Sequence, residues 1–471
     1  MSLMVSVSGI RGIVGESLTP VVLAKYTQAY ALWLYQQIDN SDSQNTKRSP
    51  KVVIGRDTRP TGSTILEFVK NTLVQMGCVV IDLGLATTPT VEIAVLEEKA
   101  DGGIIITASH NPIEWNALKL LNKYGEFLTA AQGRAMIDLA EKGDLKSATW
   151  NNYGISVANS AYDDLHIQKV LNLPFIDKPL IEKQNYRVLV DAVEGAGSLI
   201  VPRLCHALGM NDIVEIGCKA SGIFPRNPEP IEKNLTETLA RIKEEKCDFG
   251  IIVDPDVDRL VMICEDGTLF GEEYTLVACA DYYLTKNKGA VVNNLSSSRA
   301  LRDIAKKHNV ECFSSRVGEA NVIEEMKAQN ATIGGEGNGG VILPEIHYGR
   351  DALVGIALFV QAFCEWQQKN QKKPISTFKK SFPEYHMAKN KISLANTKGN
   401  VDEGFEKLAK AYASEKVTTI DGLKIDFAKS WIHLRKSNTE PIVRIYTEAK
   451  TPEEANNLAK KFETELLETL G

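Results

Sequence analysis

One order of segments occurs three times along the chain. A β-branched run ends in polar and Gly residues, a helical stretch follows, then a second strand-like run, and later a third run closing on an unusual loop. The first pass reads "KVVIGRDTRPTG", "STILEFVKNTLVQMG", "CVVIDLG" and "GGIIITASHNP". The second reads "YRVLVDAVEGAGS", "LIVPRLCHALG", "DIVEIG" and "CDFGIIVDPDVDRL". The third reads "GAVVNNLSSSRA", "LRDIAKKHN", "VECFSSRVG" and "ATIGGEGNGG". Strands alternating with helices predict parallel sheets. The expected fold is therefore α/β, with three similar mixed α/β domains.

The last part breaks the pattern. "WIHLRKSNTEPIVRIYTEA" alternates like strands around a polar loop, and Thr451 with Glu454 three residues on opens an amphipathic helix as a capping box does. A smaller C-terminal α+β domain is expected. The 471 residues suit three or four domains. The expected spans are 1–155, 156–265, 266–380 and 381–471. "DNSDSQNTKRSP" reads as a surface loop inside the first, and "QKNQKKP" as the approach to the last.

A formal net charge of −6 without a Lys/Arg block gives no reason to expect a nucleic-acid partner. No apolar run approaches membrane-spanning length, and the amino terminus does not read as a signal peptide. The eight cysteines are scattered with no Cys-x-x-Cys, which fits buried thiols in a reducing, cytoplasmic setting.

Ligands bind outside the carboxyl ends of parallel strands, and the three unusual loops fall at corresponding strand ends. Three such loops could converge on one cleft. In "DPDVDR", Asp254, Asp256 and Asp258 alternate after an apolar run. Carboxylates this close repel strongly unless a cation neutralises them, and hard oxygen donors favour Mg²⁺ or Ca²⁺, with a solvated acidic turn as the alternative. An EF-hand is excluded because Arg259 stands where its Gly belongs and Leu260–Ile263 reads as a strand. "GGEGNGG" fits G-x-G-x-x-G, but no helix follows at once, so a dinucleotide site is not expected. Glu336 and Asn338 between glycines suit a close-approach loop offering polar groups to hydroxyls, although a plain flexible loop is also open. Arg435, Ser437, Asn438, Thr439 and Arg444 suit a phosphate dianion, although taken alone a plain charged hairpin fits them almost as well. Arg11, between residues of "SGIRG", and Lys119, in "WNALKL", are cations within reach of such a cleft.

Ser109 in "TASHNP" lacks the G-x-S-x-G of a hydrolase. His110 is adjacent, and neighbouring side chains of an extended segment point apart, so a Ser109–His110 dyad is not expected. A serine beside a metal site can instead carry a phosphoryl group.

These motifs together resemble the α-D-phosphohexomutases across nearly the whole chain. "TASHNP" resembles the phosphoserine loop, "DPDVDR" the metal loop, "GEGNGG" the sugar-specificity loop and "RKSNTEPIVR" the phosphate-binding loop. The resemblance implies four domains around a central cleft. It implies Ser109 as phosphoserine, ligating Mg²⁺ together with Asp254, Asp256 and Asp258. Lys119, Arg11 and His110 would complete the catalytic set. Arg259, Glu336, Asn338, Arg435, Ser437, Asn438, Thr439 and Arg444 would bind substrate. It implies hexose phosphate substrates and a hexose bisphosphate intermediate. Asn338 and Gly340 stand where relatives often carry Ser and His, which leaves the sugar open and leans toward the phosphoglucosamine mutase branch. His347, just downstream, could substitute for the histidine missing at 340, but a surface position is the commoner outcome for such a residue. A metal-dependent sugar phosphatase and a non-catalytic sugar-phosphate binder are the rival readings.

Overall fold

The computed structural model describes residues 3–6, 9–41, 48–143, 145–394, 399–437 and 441–470. Part of "DNSDSQNTKRSP" and the candidates Asn438 and Thr439 lie outside the described residues. The chain divides into two compact units, Met1–Asn287 with Asn338–Lys379, and Lys288–Gly337 with Lys380–Gly471.

The first unit opens with a seven-stranded sheet. Its strands are β1 (Met4–Ser6), β2 (Gly9–Ile13), β3 (Lys51–Arg56), β4 (Val79–Leu85), β5 (Gly102–Ile106), β6 (Trp115–Asn122) and β7 (Ile155–Ala158), in the order β1-β2-β6-β5-β3-β4-β7. Pairing is parallel from β5 through β3 and β4 to β7, and antiparallel from β5 through β6 and β2 to β1. The helices Pro20–Ser41 and Gly62–Gln75 cover one face through Tyr30, Leu34, Leu66 and Val69. The helix Thr88–Glu97 covers the other through Val91 and Val95. Alternating apolar residues along β3 supply both cores, since Val52 and Ile54 join the first and Val53 the second.

The next sheet contains β8 (Arg187–Asp191), β9 (Asp212–Ile216), β10 (Phe249–Val253) and β11 (Leu260–Cys264), ordered β11-β10-β8-β9. Only β10–β11 is antiparallel in it. In the second unit β12 (Val291–Asn294) lies between β13 (Cys312–Ser315) and β14 (Ile333–Glu336), parallel to both. All three repeats therefore share one arrangement. The first strand is central, the second lies on one side, the third on the other, and the unusual loop follows the third. The expected parallel pairing holds among the three strands of each repeat. Each of the first two loops leads into an antiparallel return strand, β6 or β11, so both sheets are mixed.

The short β15 (Gly340–Ile342) and the helix Ala352–Lys369 return to the first unit. The C-terminal sheet of the second unit is wholly antiparallel. Its strands are β16 (His386–Ser393), β17 (Lys416–Thr418), β18 (Leu423–Asp426), β19 (Trp431–Lys436) and β20 (Ile442–Ala449), ordered β16-β20-β19-β18-β17. The final helix, Pro452–Leu470, packs on it through Ala455, Ala459, Phe462 and Leu466, and the Thr451 hydroxyl accepts the Glu454 amide as a cap should. Among the described residues no helix is long and apolar enough to cross a membrane, and all eight cysteines are free thiols.

Candidate active site

The loops after β5 and β10 meet in the first unit. Ser109 is 4% exposed and donates its hydroxyl to Asp254 Oδ2 at 2.8 Å. Its backbone φ is +48°, a left-handed conformation, so the alternation of an extended chain does not hold here. Ser109 Oγ consequently lies 3.3 Å from His110 Nδ1, and the expectation that these neighbours point apart is corrected. Burial, with Arg259 and Arg11 nearby, pushes the His110 imidazole well below its ordinary pKa, so it is neutral at physiological pH.

Asp254, Asp256 and Asp258 are fully buried, and each offers a ligand atom within 4.8 Å of the others. Burial and the two neighbouring carboxylates raise Asp254 well above the usual range. Burial acts the same way on Asp256, but the charge and hydrogen bond of Lys119, with the Thr88 hydroxyl, pull it below that range. Lys119 projects from β6 and donates to Asp256 Oδ2 at 2.7 Å, with Asp258 Oδ2 at 3.7 Å. Burial works against its charge, yet Asp256 and Asp258 raise its pKa, so it stays protonated. Arg259 Nε lies 4.0 Å from Asp254 and 3.7 Å from Asp258. Oδ1 of Asp256 and Oδ1 of Asp258 are buried without a hydrogen-bond partner. Two orphaned carboxylate oxygens beside a third carboxylate and a serine hydroxyl fit a divalent cation, which would satisfy them.

Two residues completing this centre carry no motif of their own. Thr88 donates its hydroxyl to Asp256 Oδ2 at 2.7 Å and its amide to the Asp256 carbonyl at 2.9 Å. It is placed there because Thr87 caps its helix and Pro89 lies in the first turn. Arg350 donates to Asp258 Oδ2 at 2.6 Å. It precedes Asp351, whose carboxylate caps the helix Ala352–Lys369 by accepting the Leu353 and Val354 amides. Gly340 makes room for it, because a Cβ there would lie 2.2 Å from Arg350 Cδ. The absence of a histidine at 340 thus has a steric reason. Gly339 shows the close approach expected of the Gly-rich loop: at φ +91° it lets the chain pass so near Leu260 that a Cβ would stand 2.3 Å from that carbonyl oxygen. The loop leads into the strand Gly340–Ile342 and not into a helix.

Arg11, on β2, donates to Asn111 Oδ1 at 2.7 Å and so lies on the Ser109 loop. Asn338 accepts the Gly340 amide in the first unit. His347 is not at the surface. It is 3% exposed, with Nδ1 3.3 Å from Glu92 and Nε2 3.2 Å from Asp351, which also binds His166 at 2.8 Å. Burial opposes its charge, but the two carboxylates raise its pKa to about 10. The sequence showed only a lone histidine after a Pro-containing run; Asp351 is four residues on, but Glu92 lies 255 positions away.

In the second unit, Glu336 ends β14, buried, and accepts from Asn294 at 2.7 Å and from the Gly318 amide at 3.0 Å. Arg435 and Arg444 are directly opposite on β19 and β20, and Lys391 of β16 is opposite Arg444. Like charges facing across a sheet destabilise it unless an anion intervenes. Arg435 Nε donates to Asp421 at 3.2 Å, and the Ser437 amide donates to the Ile442 carbonyl at 3.0 Å.

A serine at a strand end, turned onto buried carboxylates with open ligand oxygens and held among fixed cations, has the makings of a metal-assisted phosphoryl-transfer centre in an α/β scaffold. Family models for phosphoglucomutase/phosphomannomutase match in order: alpha/beta/alpha domain I over residues 3–147, domain II over 164–267, domain III over 271–385 and the C-terminal domain over 395–465. A phosphoglucomutase/phosphomannomutase of Thermococcus kodakarensis is 36% identical, the match covering 95% of this chain and 94% of the relative. A phosphoglucosamine/phosphogalactosamine mutase of Sulfurisphaera tokodaii is 31% identical over 96% and 97%. A crystal structure of a Burkholderia thailandensis phosphoglucomutase/phosphomannomutase family protein superposes with a TM-score of 0.81 at 21% identity, covering 99% of this chain and 98% of that one. The chain belongs to the phosphoglucomutase/phosphomannomutase family and is a phosphohexomutase, an isomerase.

Proposed function

We propose that the protein interconverts hexose 6-phosphate and hexose 1-phosphate through a phosphoserine at Ser109 and a bisphosphorylated sugar, with glucosamine phosphate the preferred substrate. The observation that carries the mechanism is the 2.8 Å contact of Ser109 Oγ with Asp254, beside the partnerless oxygens of Asp256 and Asp258. Those three carboxylates would hold Mg²⁺, which when bound stabilises charge developing on the seryl and phosphoryl oxygens. The charges balance. Lys119, Arg259 and Arg350, each within 4.0 Å of a triad carboxylate, offset the three negative charges. A divalent cation plus a phosphoserine dianion then adds no net charge to the pocket.

In the forward step the Ser109 Oγ–P bond breaks as a bond forms from the free sugar hydroxyl to phosphorus. The proton given up by the sugar hydroxyl is balanced by the one that Ser109 Oγ takes up, so the site neither gains nor loses a proton. After the bisphosphate turns around, Ser109 takes the other phosphoryl group. Neutral His110, 3.3 Å from Oγ, accepts the seryl proton in that step, and the sugar oxygen that loses its phosphoryl group takes up one proton, returning His110 to neutral overall. Lys119 and Arg11 stabilise the phosphoryl oxygens. Glu336 and Asn338 bind sugar hydroxyls, while Arg435, Ser437, Asn438, Thr439 and Arg444 hold the phosphate that is not reacting. The opposed Arg435 and Arg444 support this assignment, because a bound dianion relieves their repulsion.

Preference for glucosamine is supported by the Asn338 and Gly340 pattern and by relatives named for glucosamine substrates. The 36% identical relative named for glucose and mannose supports a broader-specificity alternative. Turnover on glucosamine, glucose and mannose phosphates tests the choice: kcat/KM highest for glucose or mannose phosphate rejects the glucosamine reading. Inorganic phosphate released in step with substrate loss would reject the mutase mechanism itself. Asp256→Asn should weaken Mg²⁺ binding and lower turnover sharply, and chelator should abolish wild-type turnover until Mg²⁺ is restored.

A further inference from the structure

Arg59 belongs to none of the motifs that mark the reaction, yet every guanidinium nitrogen is used. The side chain is fully buried. Nε donates to Asp57 Oδ2 at 3.0 Å. One terminal nitrogen donates to the carbonyls of Pro112 at 2.5 Å and Trp115 at 3.0 Å. The other donates to the carbonyls of Ser109 at 2.6 Å and Asn111 at 2.7 Å. The Phe224 ring lies 5.0 Å from the guanidinium carbon. Asp57 Oδ2 also accepts the Thr107 hydroxyl at 2.7 Å, and Thr107 Oγ1 accepts the Ser109 amide at 2.9 Å. The bonds close a ring. It runs from the Ser109 amide to Thr107, to Asp57, to Arg59, and back to the Ser109 carbonyl.

Both backbone groups of Ser109 are thus gripped by one buried network. Serine rarely holds φ +48° unless its surroundings over-determine it. In an ordinary extended conformation its side chain would swing away from the carboxylates. A core arginine needed only for packing would have no reason to spend four hydrogen bonds on the carbonyls of this single loop.

We propose that Arg59, with Asp57 and Thr107, is a positioning clamp that holds Ser109 in the left-handed conformation aiming Oγ at Asp254. The clamp rests on the reading of Ser109 as phosphoryl carrier. It acts on the geometry of transfer and leaves the groups that bind substrate alone, so its loss lowers kcat more than it raises KM. Small misplacement of a reacting group costs on the order of tenfold to a hundredfold in rate.

The test uses the full-length enzyme with Mg²⁺ and four variants: Ser109→Ala, Thr107→Val, Thr107→Ser and Arg59→Lys. Thr107→Val keeps shape but loses the hydroxyl linking Ser109 to Asp57. It should fold, lower kcat by about tenfold or more, and leave KM within about twofold. Thr107→Ser restores the hydroxyl and should recover most of the loss. Arg59→Lys cannot span four carbonyls and should lower kcat at least as far. Equal losses in Thr107→Val and Thr107→Ser would overturn the clamp, because the hydroxyl would then be irrelevant. Wild-type kcat in Thr107→Val would overturn it even if Arg59→Lys failed to fold. An inactive Ser109→Ala beside fully active Thr107→Val rejects the clamp alone, whereas an active Ser109→Ala rejects the carrier reading and the clamp with it.

Discussion

Lys119→Met separates the charge balance of the pocket from its chemistry. Lys119 Nζ is buried, 2.7 Å from Asp256 and 3.7 Å from Asp258. Methionine keeps much of the apolar stem but leaves one triad carboxylate uncompensated. Breaking a buried ion pair from one side costs about 3–5 kcal/mol. At about 2 °C per kcal/mol for a large folding unit, the first thermal transition in chelator should fall by roughly 6–10 °C. Divalent metal should then narrow the gap, because the variant site has lost a competing cation and binds Mg²⁺ more tightly. A ligand present at about 100 times its Kd contributes about 2.7 kcal/mol, so a tighter-binding variant gains more from the same Mg²⁺ than the wild type does. The assay is thermal unfolding of both proteins across a Mg²⁺ titration, with turnover measured in parallel. Turnover should remain low throughout, since restored stability does not restore the ammonium group. A variant that melts with the wild type in chelator, or a gap that Mg²⁺ leaves unchanged, would show that Lys119 does not neutralise the triad.

Other outcomes follow from individual contacts. His347 sits between Glu92 and Asp351, and its pKa is raised to about 10 in the fold against an ordinary 6.5. Its charge therefore contributes stability that is complete below about pH 6.5 and is lost as pH rises through about 10. Chemical denaturation should show His347→Gln less stable at pH 7 by an amount that shrinks toward pH 10, and a gap independent of pH would contradict the ion pairing. Gly340→Ala would drive a Cβ into Arg350, so it should cost about 1–3 kcal/mol and reduce turnover by loosening Asp258; unchanged kcat and melting would mean that Arg350 yields freely. Arg444→Ala should lower kcat/KM by about tenfold to a hundredfold, because a charged hydrogen bond contributes about 1.5–3 kcal/mol, while Arg444→Lys recovers part of it. Identical kcat/KM in all three proteins would remove Arg444 from phosphate binding.

Much of this protein could be read before folding. The strand-and-helix order of each repeat is carried by short-range periodicity, and the three unusual loops stand out because carboxylates, glycines and a lone serine follow apolar runs at strand ends. The carboxylates of "DPDVDR" lie within five residues of one another, so one loop brings them together whatever surrounds it. The groups that complete the centre are of another kind. Arg350 is 92 positions from Asp258, and Thr88 is 168 from Asp256. An arginine or a threonine has no local signature for a partner that distant; sheet order and helix capping choose it. His347 looked like a surface residue because nothing near it in the chain announces Glu92. Ser109 and His110 were expected to point apart because alternation assumes an extended backbone, and Arg59, Asp57 and Thr107 hold Ser109 out of that conformation. Local pattern thus set which elements form and which loops carry reactive groups. The direction of the serine, the neutralisation of the triad and the protonation of the histidines arise only where long-range packing removes water and brings distant charges within a few ångströms.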